Sequence, residues 1–160
     1  MNIHANKGRN LETAIIASQR NLIRVEKMPL GFKYIAGGKT VPQRGPVDYV
    51  GTVVGSGRAI TFDAKQCDQA TRFPVGNDTH FPEHQRQFLI RQGEAGAIAG
   101  LLVEATHEKV RQYLWLDWRH LLTREASVKW DDPRWVRCGD TGLLVDFTGI
   151  LKAYGAPAAA

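Results

Sequence analysis

The sequence predicts an α/β fold in which helices pack on a mixed β-sheet, and three observations carry that expectation. Ala97 to Val103 (AIAGLLV) is an unbroken apolar run, the composition of a central strand buried on both faces. Asp48 to Val54 and Arg58 to Lys65 read as strands and are separated by Gly55, Ser56 and Gly57, which is hairpin punctuation. Apolar residues at helical spacing lie before the hairpin at Leu11, Ala14, Ile15 and Leu22, and after it at Phe88 and Leu89. A doubly wound nucleotide-binding sheet lacks its signature, since the glycine cluster joins two strands rather than a strand and a helix. With 160 residues, 43% hydrophobic and 23% charged, the chain is of single-domain size, and collagen-like, mucin-like and largely disordered classes are excluded.

Taken in order, the first helix is expected over Gly8 to Asn21, with Asn6 or Asn10 capping its start. Leu22 to Lys27 (LIRVEK) alternates and carries branched residues, as a first strand would. Between Met28 and Pro46, seven Pro and Gly residues interrupt regular structure for about nineteen residues. Residues 28–46 are therefore expected to form a long loop, and loops of that length in compact domains are functional or disordered. This one carries Phe32, Lys33, Tyr34, Lys39 and Arg44, a mixture of aromatic and cationic groups suited to bases and phosphates. Beyond the hairpin, Gln66 to His80 reads as irregular, and Pro82 opens a second helix that ends near Gly93 or Gly96. The buried strand follows, then a strand at Gln112 to Leu116 and a short helix at Trp118 to Ala126. The remainder, with Pro133 and Gly139 ahead of the apolar run Leu143 to Val145, is assigned no element. A single domain is expected over residues 1–154, with GAPAAA (155–160) as a disordered tail.

Twenty-one Lys and Arg stand against sixteen Asp and Glu, a net charge of +5. The excess lies in residues 1–47, where eight cations face only Glu12 and Glu26. A one-sided basic region favours polyanions, and counterion release makes nucleic acid the leading candidate. No stretch approaches the ~18 to 20 apolar residues that span a bilayer, and the start, MNIHANKGRN, lacks the apolar middle of a secretory signal. A cytoplasmic location with no membrane partner is expected. Cys67 and Cys138 are too few for a disulfide framework or a four-thiolate zinc site and read as ordinary thiols.

The chemistry lies in GPVDYVGTVVGSGRAITFDAK (45–65). Strand side chains alternate, so Asp63 and Lys65 share one face while Phe62 and Ala64 share the other. A turn centred on Gly55 and Ser56 sets Asp48 opposite Asp63, and one centred on Ser56 and Gly57 sets it opposite Lys65. Either register gathers all three on one face, whereas an odd-length loop without a bulge separates them. Two neighbouring carboxylates repel, and a divalent cation with oxygen ligands relieves that repulsion; Mg²⁺ or Mn²⁺ fits. Such a cation polarises a phosphoryl oxygen, activates a bound water and steadies a leaving oxygen. Lys65 would orient or deprotonate the attacking water, or offset charge on the phosphate. With Glu12 on the first helix, the joined pattern points to a metal-dependent nuclease.

G-P-V-D-Y-V-G followed by I-T-F-D-A-K resembles the core of the PD-(D/E)xK nucleases, and more closely that of the RecU-type Holliday junction resolvases. Supporting matches are N-K-G-R-N-L-E at the first helix, V-E-K-M-P after the first strand, F-P-E-H-Q-R-Q-F-L in the second helix and Y-L-W-L-D-W-R-H-L near residue 115. The resemblance covers residues 6 to about 124. It implies a restriction-endonuclease-like mixed sheet flanked by helices, with residues 28–46 as a stalk that projects into the open centre of a four-way junction. It also implies Glu12, Asp48, Asp63 and Lys65 as the active-site set, with Asp48 and Asp63 as principal ligands of Mg²⁺, for which Mn²⁺ would substitute, and Gln85 beside them. Lys7, Arg9, Lys27, Lys33, Lys39, Arg44 and His84 would contact DNA. Asp63 stands where RecU proteins usually carry Glu, one methylene longer, which bears on metal position. The family's basic N-terminal arm is nearly absent, so Lys7 and Arg9 must serve or the stalk must contribute more.

His4, His80, His84, His107 and His120 show no metal-ligand spacing, and no nucleophile elbow or Cys/His protease pattern is present. Trp115, Trp118, Trp130 and Trp135 are assigned to the core or a dimer contact rather than to base stacking. The expected protein is a homodimeric, Mg²⁺-dependent endonuclease that resolves four-way DNA junctions by paired phosphodiester hydrolysis. Its rivals are a related nuclease acting on duplex, flap or single-stranded DNA, and a non-enzymatic basic DNA-binding protein.

Overall fold

The computed structural model describes residues 3–29, 31–43, 45–68, 71–107, 110–139 and 144–155, the side chains of 3–10, 32–34 and 107 apart. The expected tail lies outside these residues except for Gly155. Chain order is α1 (Ile3–Ser18), β1 (Ile23–Lys27), β2 (Gly31–Ile35), β3 (Lys39–Gln43), β4 (Tyr49–Val53), β5 (Ala59–Cys67), β6 (Arg72–Phe73), α2 (Glu83–Glu94), β7 (Ile98–His107), β8 (Val110–Asp117), a 3₁₀ turn (Trp118–Leu121), β9 (Val128–Lys129), β10 (Trp135–Arg137) and α3 (Phe147–Ala153). Among the described residues six strands form one sheet in the order β1-β4-β5-β7-β8-β10. Only β5 and β7 run parallel, so the sheet is mixed as expected.

Alternation sorts the sheet's side chains into two cores. Ile23, Val25, Tyr49, Ile60, Phe62, Leu102 and Trp115 meet Leu11, Ala14 and Ile15 of α1, together with Phe147, Ile150 and Leu151 of α3. The opposite face, with Leu101, Val103, Ala105, Leu114 and Leu116, meets Leu89 and Ile90 of α2. From Ile98 to Ala105 every residue of β7 is buried, which is why its sequence is apolar without alternation. Phe62 organises the first core: it stacks on Tyr49 at 5.0 Å and meets Trp115 edge-on at 5.8 Å. Trp115, Trp130 and Trp135 are buried, in keeping with their assignment to the core. Neither cysteine forms a disulfide, and both are buried. Among the described residues no helix is long and apolar enough to cross a membrane.

Four expectations are corrected. α1 begins at Ile3, so Asn6 and Asn10 fall inside it instead of capping it. It also stops at Ser18, because Arg20 takes a left-handed conformation (φ 45°) that a helix cannot continue through. Residues 28–46 are not an irregular loop: β2 and β3 pair antiparallel as their own two-stranded ribbon, Ile35 opposite Lys39. Gly37 and Gly38 turn its tip at φ +92° and +73°. Pro42 is tolerated because a two-stranded ribbon leaves amides on an outer edge. The helix expected at Trp118 to Ala126 is a single 3₁₀ turn, since Arg86 Nη1 donates to the Leu121 carbonyl at 3.0 Å and draws it from a continuing helix. The unassigned end supplies β10 on the sheet edge and α3 in the core, the latter capped by Asp146, which accepts from Thr148 N at 3.0 Å.

The C-terminal turn is pinned to the sheet. Tyr154 Oη donates to the Ala99 carbonyl at 2.9 Å, and the guanidinium groups of Arg58 and Arg119 lie 5.3 and 5.6 Å from its ring centroid. Burial, followed by the Asp117 carboxylate, raises its pKa, so the phenol remains a donor. Tyr154→Phe is expected to lower stability by about 1 kcal/mol, read from the urea midpoint at unchanged slope. An unmoved midpoint would show the hydroxyl to be idle.

Candidate active site

Asp48 precedes β4 by one residue, and Asp63 and Lys65 lie on β5. Tyr49 pairs with Phe62, so the next position along the ladder sets Asp48 against Asp63. This is the register of a turn centred on Gly55 and Ser56, although the loop spans Val54 to Gly57, with Val53 N bonded to the Arg58 carbonyl at 2.8 Å. Asp48 extends the ladder with its side chain: Oδ2 accepts from Ala64 N at 3.0 Å, while its carbonyl accepts from Met28 N at 2.7 Å. Both contacts hold the carboxylate where β1, β4 and β5 converge.

Asp63 is fully buried. Its Oδ2 lies 2.5 Å from Lys65 Nζ in an ion pair, yet neither carboxylate oxygen accepts a well-directed hydrogen bond. Burial pushes Asp63 up to about 7; the Lys65 ammonium opposes that rise and Asp48 adds to it. Lys65 Nζ also donates to Gln85 Oε1 at 3.1 Å, and Gln85 is itself buried on α2. The lysine is thus held between a carboxylate on its own strand and an amide on the helix above.

Of the expected set, Asp48, Asp63, Lys65 and Gln85 are brought together. Glu12 is placed differently: it pairs with Lys27 Nζ at 2.8 Å. Lys27 is opposite Tyr49 in β1, which puts this ion pair on the α1 face, whereas Asp63 and Lys65 face α2. The buried phenol of Tyr49 lies within the field of carboxylates from both sides. Its pKa is raised first by burial and then by the charges of both Glu12 and Asp48. The only signal for Tyr49 in the sequence is its place directly after Asp48, where alternation turns it toward α1. His84 is exposed beside Gln85. Lys39 is exposed at the ribbon's tip and Lys33 occupies β2 opposite Val41. Lys7 and Arg9 lie on α1; their side chains, that of Lys33 and all of Arg44 are outside the described residues.

Among the described residues no three His, Cys, Asp or Glu side chains converge as a ready metal cage. The donor set nevertheless fits a hard divalent cation. A buried carboxylate with no well-directed hydrogen bond is costly, the Lys65 ammonium offsets that cost only in part, and a second carboxylate beside it adds to it; a cation held by both carboxylates removes it. Asp48 and Asp63 would hold that ion. When bound, it would supply charge neutralisation of a phosphoryl oxygen and activation of water.

A family model described as RecU, Recombination protein U, matches residues 6–131. No curated protein matches the chain.

Proposed function

The chain belongs to the RecU family, and from that membership and the buried carboxylate pair we propose an endonuclease that resolves four-way DNA junctions by paired, Mg²⁺-dependent hydrolysis during recombination and repair. The family carries junction resolution and nuclease activity in general, with a general need for a divalent metal, and its restriction-endonuclease-like fold agrees with the mixed sheet and its helices. The observation that carries the finer reading is Asp63, buried without hydrogen bonds beside Asp48 and in contact with Lys65.

In this reading Asp48 and Asp63 hold the ion, Mg²⁺ or in its place Mn²⁺. Lys65, fixed by Asp63 and Gln85, offsets charge at the attacked phosphate and orients the incoming water as an ammonium, or deprotonates that water as the neutral amine. Glu12 completes the set from the other side of Tyr49. The cut leaves 5′-phosphate and 3′-hydroxyl ends. A two-fold symmetric junction needs two opposed cuts, which a homodimer with two equivalent centres provides. Recognition rests on shape and phosphate contacts from the first helix, the ribbon, Lys27 and His84 rather than on base reading.

Nucleotide-resolution mapping of immobile and mobile four-way junctions, with and without Mg²⁺, tests this. Paired symmetric nicks that need the metal support resolution. Preferential cutting of duplex, flap or single strands assigns a different nuclease, and salt-sensitive binding without hydrolysis assigns an architectural protein. Replacing Lys33, Lys39 and Arg44 together by Ala is expected to weaken junction binding relative to linear duplex about tenfold in competition. Equal losses on both substrates would remove the ribbon from discrimination.

A further inference from the structure

After residue 47 the chain holds thirteen Lys and Arg. Among the described residues six of them, Lys65, Arg86, Arg111, Arg119, Arg124 and Arg134, sit in ion pairs. Of the other described cations, Arg58, Arg72, Arg91, Lys129, Arg137 and Lys152, only Arg72 and Lys129 face each other across a ladder. Arg72 of β6 is directly opposite Lys129 of β9, and neither is in an ion pair among the described residues. The next pair, Phe73 and Val128, is buried in the core beneath α2 with Trp130 and Trp135, so alternation turns Arg72 and Lys129 outward together. Like charges directly across a ladder are destabilising, and a ladder two residues long has little cohesion to oppose them.

The backbone beneath these cations is fixed. Trp130 N donates to the Thr71 carbonyl at 3.0 Å, and Trp135 Nε1 donates to the Lys129 carbonyl at 2.8 Å. Thr71, Arg72, Lys129, Trp130 and Asp131 line an open hollow of about 360 Å³. Arg72 reaches Thr71 Oγ1 and Ser127 Oγ only at 3.5 Å, contacts that a better acceptor displaces. Asp131 lies at the rim and pairs with neither cation among the described residues. Two cations and a hydroxyl around an open hollow suit a phosphate carried on a chain that runs past, rather than an enclosed small anion. The hollow's strands pack on the α2 face, the face that also carries Asp63 and Lys65.

We propose that Arg72, Lys129 and the Thr71 hydroxyl seat a backbone phosphate of the duplex arm that enters the acidic centre. The identity of the polymer rests on the nuclease reading; the seat rests on the paired cations and the hollow. It grips duplex irrespective of branching, unlike the ribbon.

The test uses full-length R72A/K129A with labelled four-way junction and linear duplex, under metal chelation, across a salt titration followed by anisotropy. Both affinities should fall alike, and the slope of log K against log salt should flatten by about one, the counterion released at the single phosphate that both cations hold. The thermal midpoint should hold or rise, because a repulsion has been removed. As a control, R91A/K152A removes two exposed cations that do not line the hollow and should leave the slope unchanged. An unchanged slope in R72A/K129A, an equal flattening in the control, or a lowered midpoint overturns the seat. So does stabilisation of the parent by inorganic phosphate that R72A/K129A lacks while its DNA slope stays parental, since that marks a free-anion site. A parent protein that binds duplex but neither prefers nor cuts junctions overturns the resolvase reading while the duplex slope still decides the seat; one that binds no DNA overturns both.

Discussion

Asp63→Asn is expected to cut junction DNA on the order of a thousandfold more slowly than the parent while binding it with near-parental affinity. The amide keeps the shape of the buried group but cannot balance a cation. The same substitution should stabilise the metal-free protein at alkaline pH, and the sign follows from where Asp63 titrates. Its carboxyl is raised from 3.8 to about 7, first by burial. Between those values the folded protein holds a proton on Asp63 that the unfolded chain has released, so the contribution of this carboxyl to stability is fullest below pH 3.8 and is lost as pH rises through 7. At 1.36 kcal/mol per pH unit the whole fall is on the order of 4 kcal/mol. Asn removes this dependence. Thermal melts in chelator should show the variant above the parent at pH 8 and level with it near pH 4. A variant that still cuts removes Asp63 from the metal-binding role, and one that melts lower at pH 8 removes the penalty assigned to its buried charge.

Gly51→Ala should cost about 3 kcal/mol or more, the range of an overpacked site that cannot relax. A Cβ at Gly51 would stand 1.9 Å from the Arg24 carbonyl oxygen and 2.7 Å from Val25 Cα. Both are backbone atoms of the paired strand β1, so no rotamer change makes room. The strands must part, and the parting falls three residues from Asp48, on the strand that positions it. Urea titration should show a sharply lowered midpoint; a loss below about 1 kcal/mol would mean that β1 and β4 yield easily here.

What could be read from the residues, and what could not, follows from how far each signal reaches. Strand alternation is strictly local, so Asp63 and Lys65 were placed on one face directly, and an even-length turn brought Asp48 to it. Burial on both faces wrote itself into β7 as an uninterrupted apolar run. Gln85 came from the family resemblance, and its contact with Lys65 gives that resemblance a physical content. Glu12 is different: a helix position alone does not say which side of the sheet its carboxylate reaches, and the ion pair with Lys27 belongs to the α1 face. The ribbon was hidden because Pro and Gly are breakers in a central strand but harmless in a two-stranded one. α3 was hidden because its seven residues are too few for a periodic pattern, and their helicity depends on Phe147, Ile150 and Leu151 entering a core built by distant strands. The opposed pair Arg72 and Lys129 is separated by more than fifty residues of sequence, and only the pairing of β6 with β9 joins them.

The closing contacts of the first core also set an order in time. Ser18 at the end of α1 accepts from Val145 N at 2.7 Å, and α3 packs against the same residues as α1. Synthesis delivers the amino end first, so α1 and the basic first third leave the ribosome long before their partners exist. The first core is covered in full only when residues 145–151 arrive. A nascent chain of this protein therefore presents its basic first third before residues 145–151 exist to cover the first core.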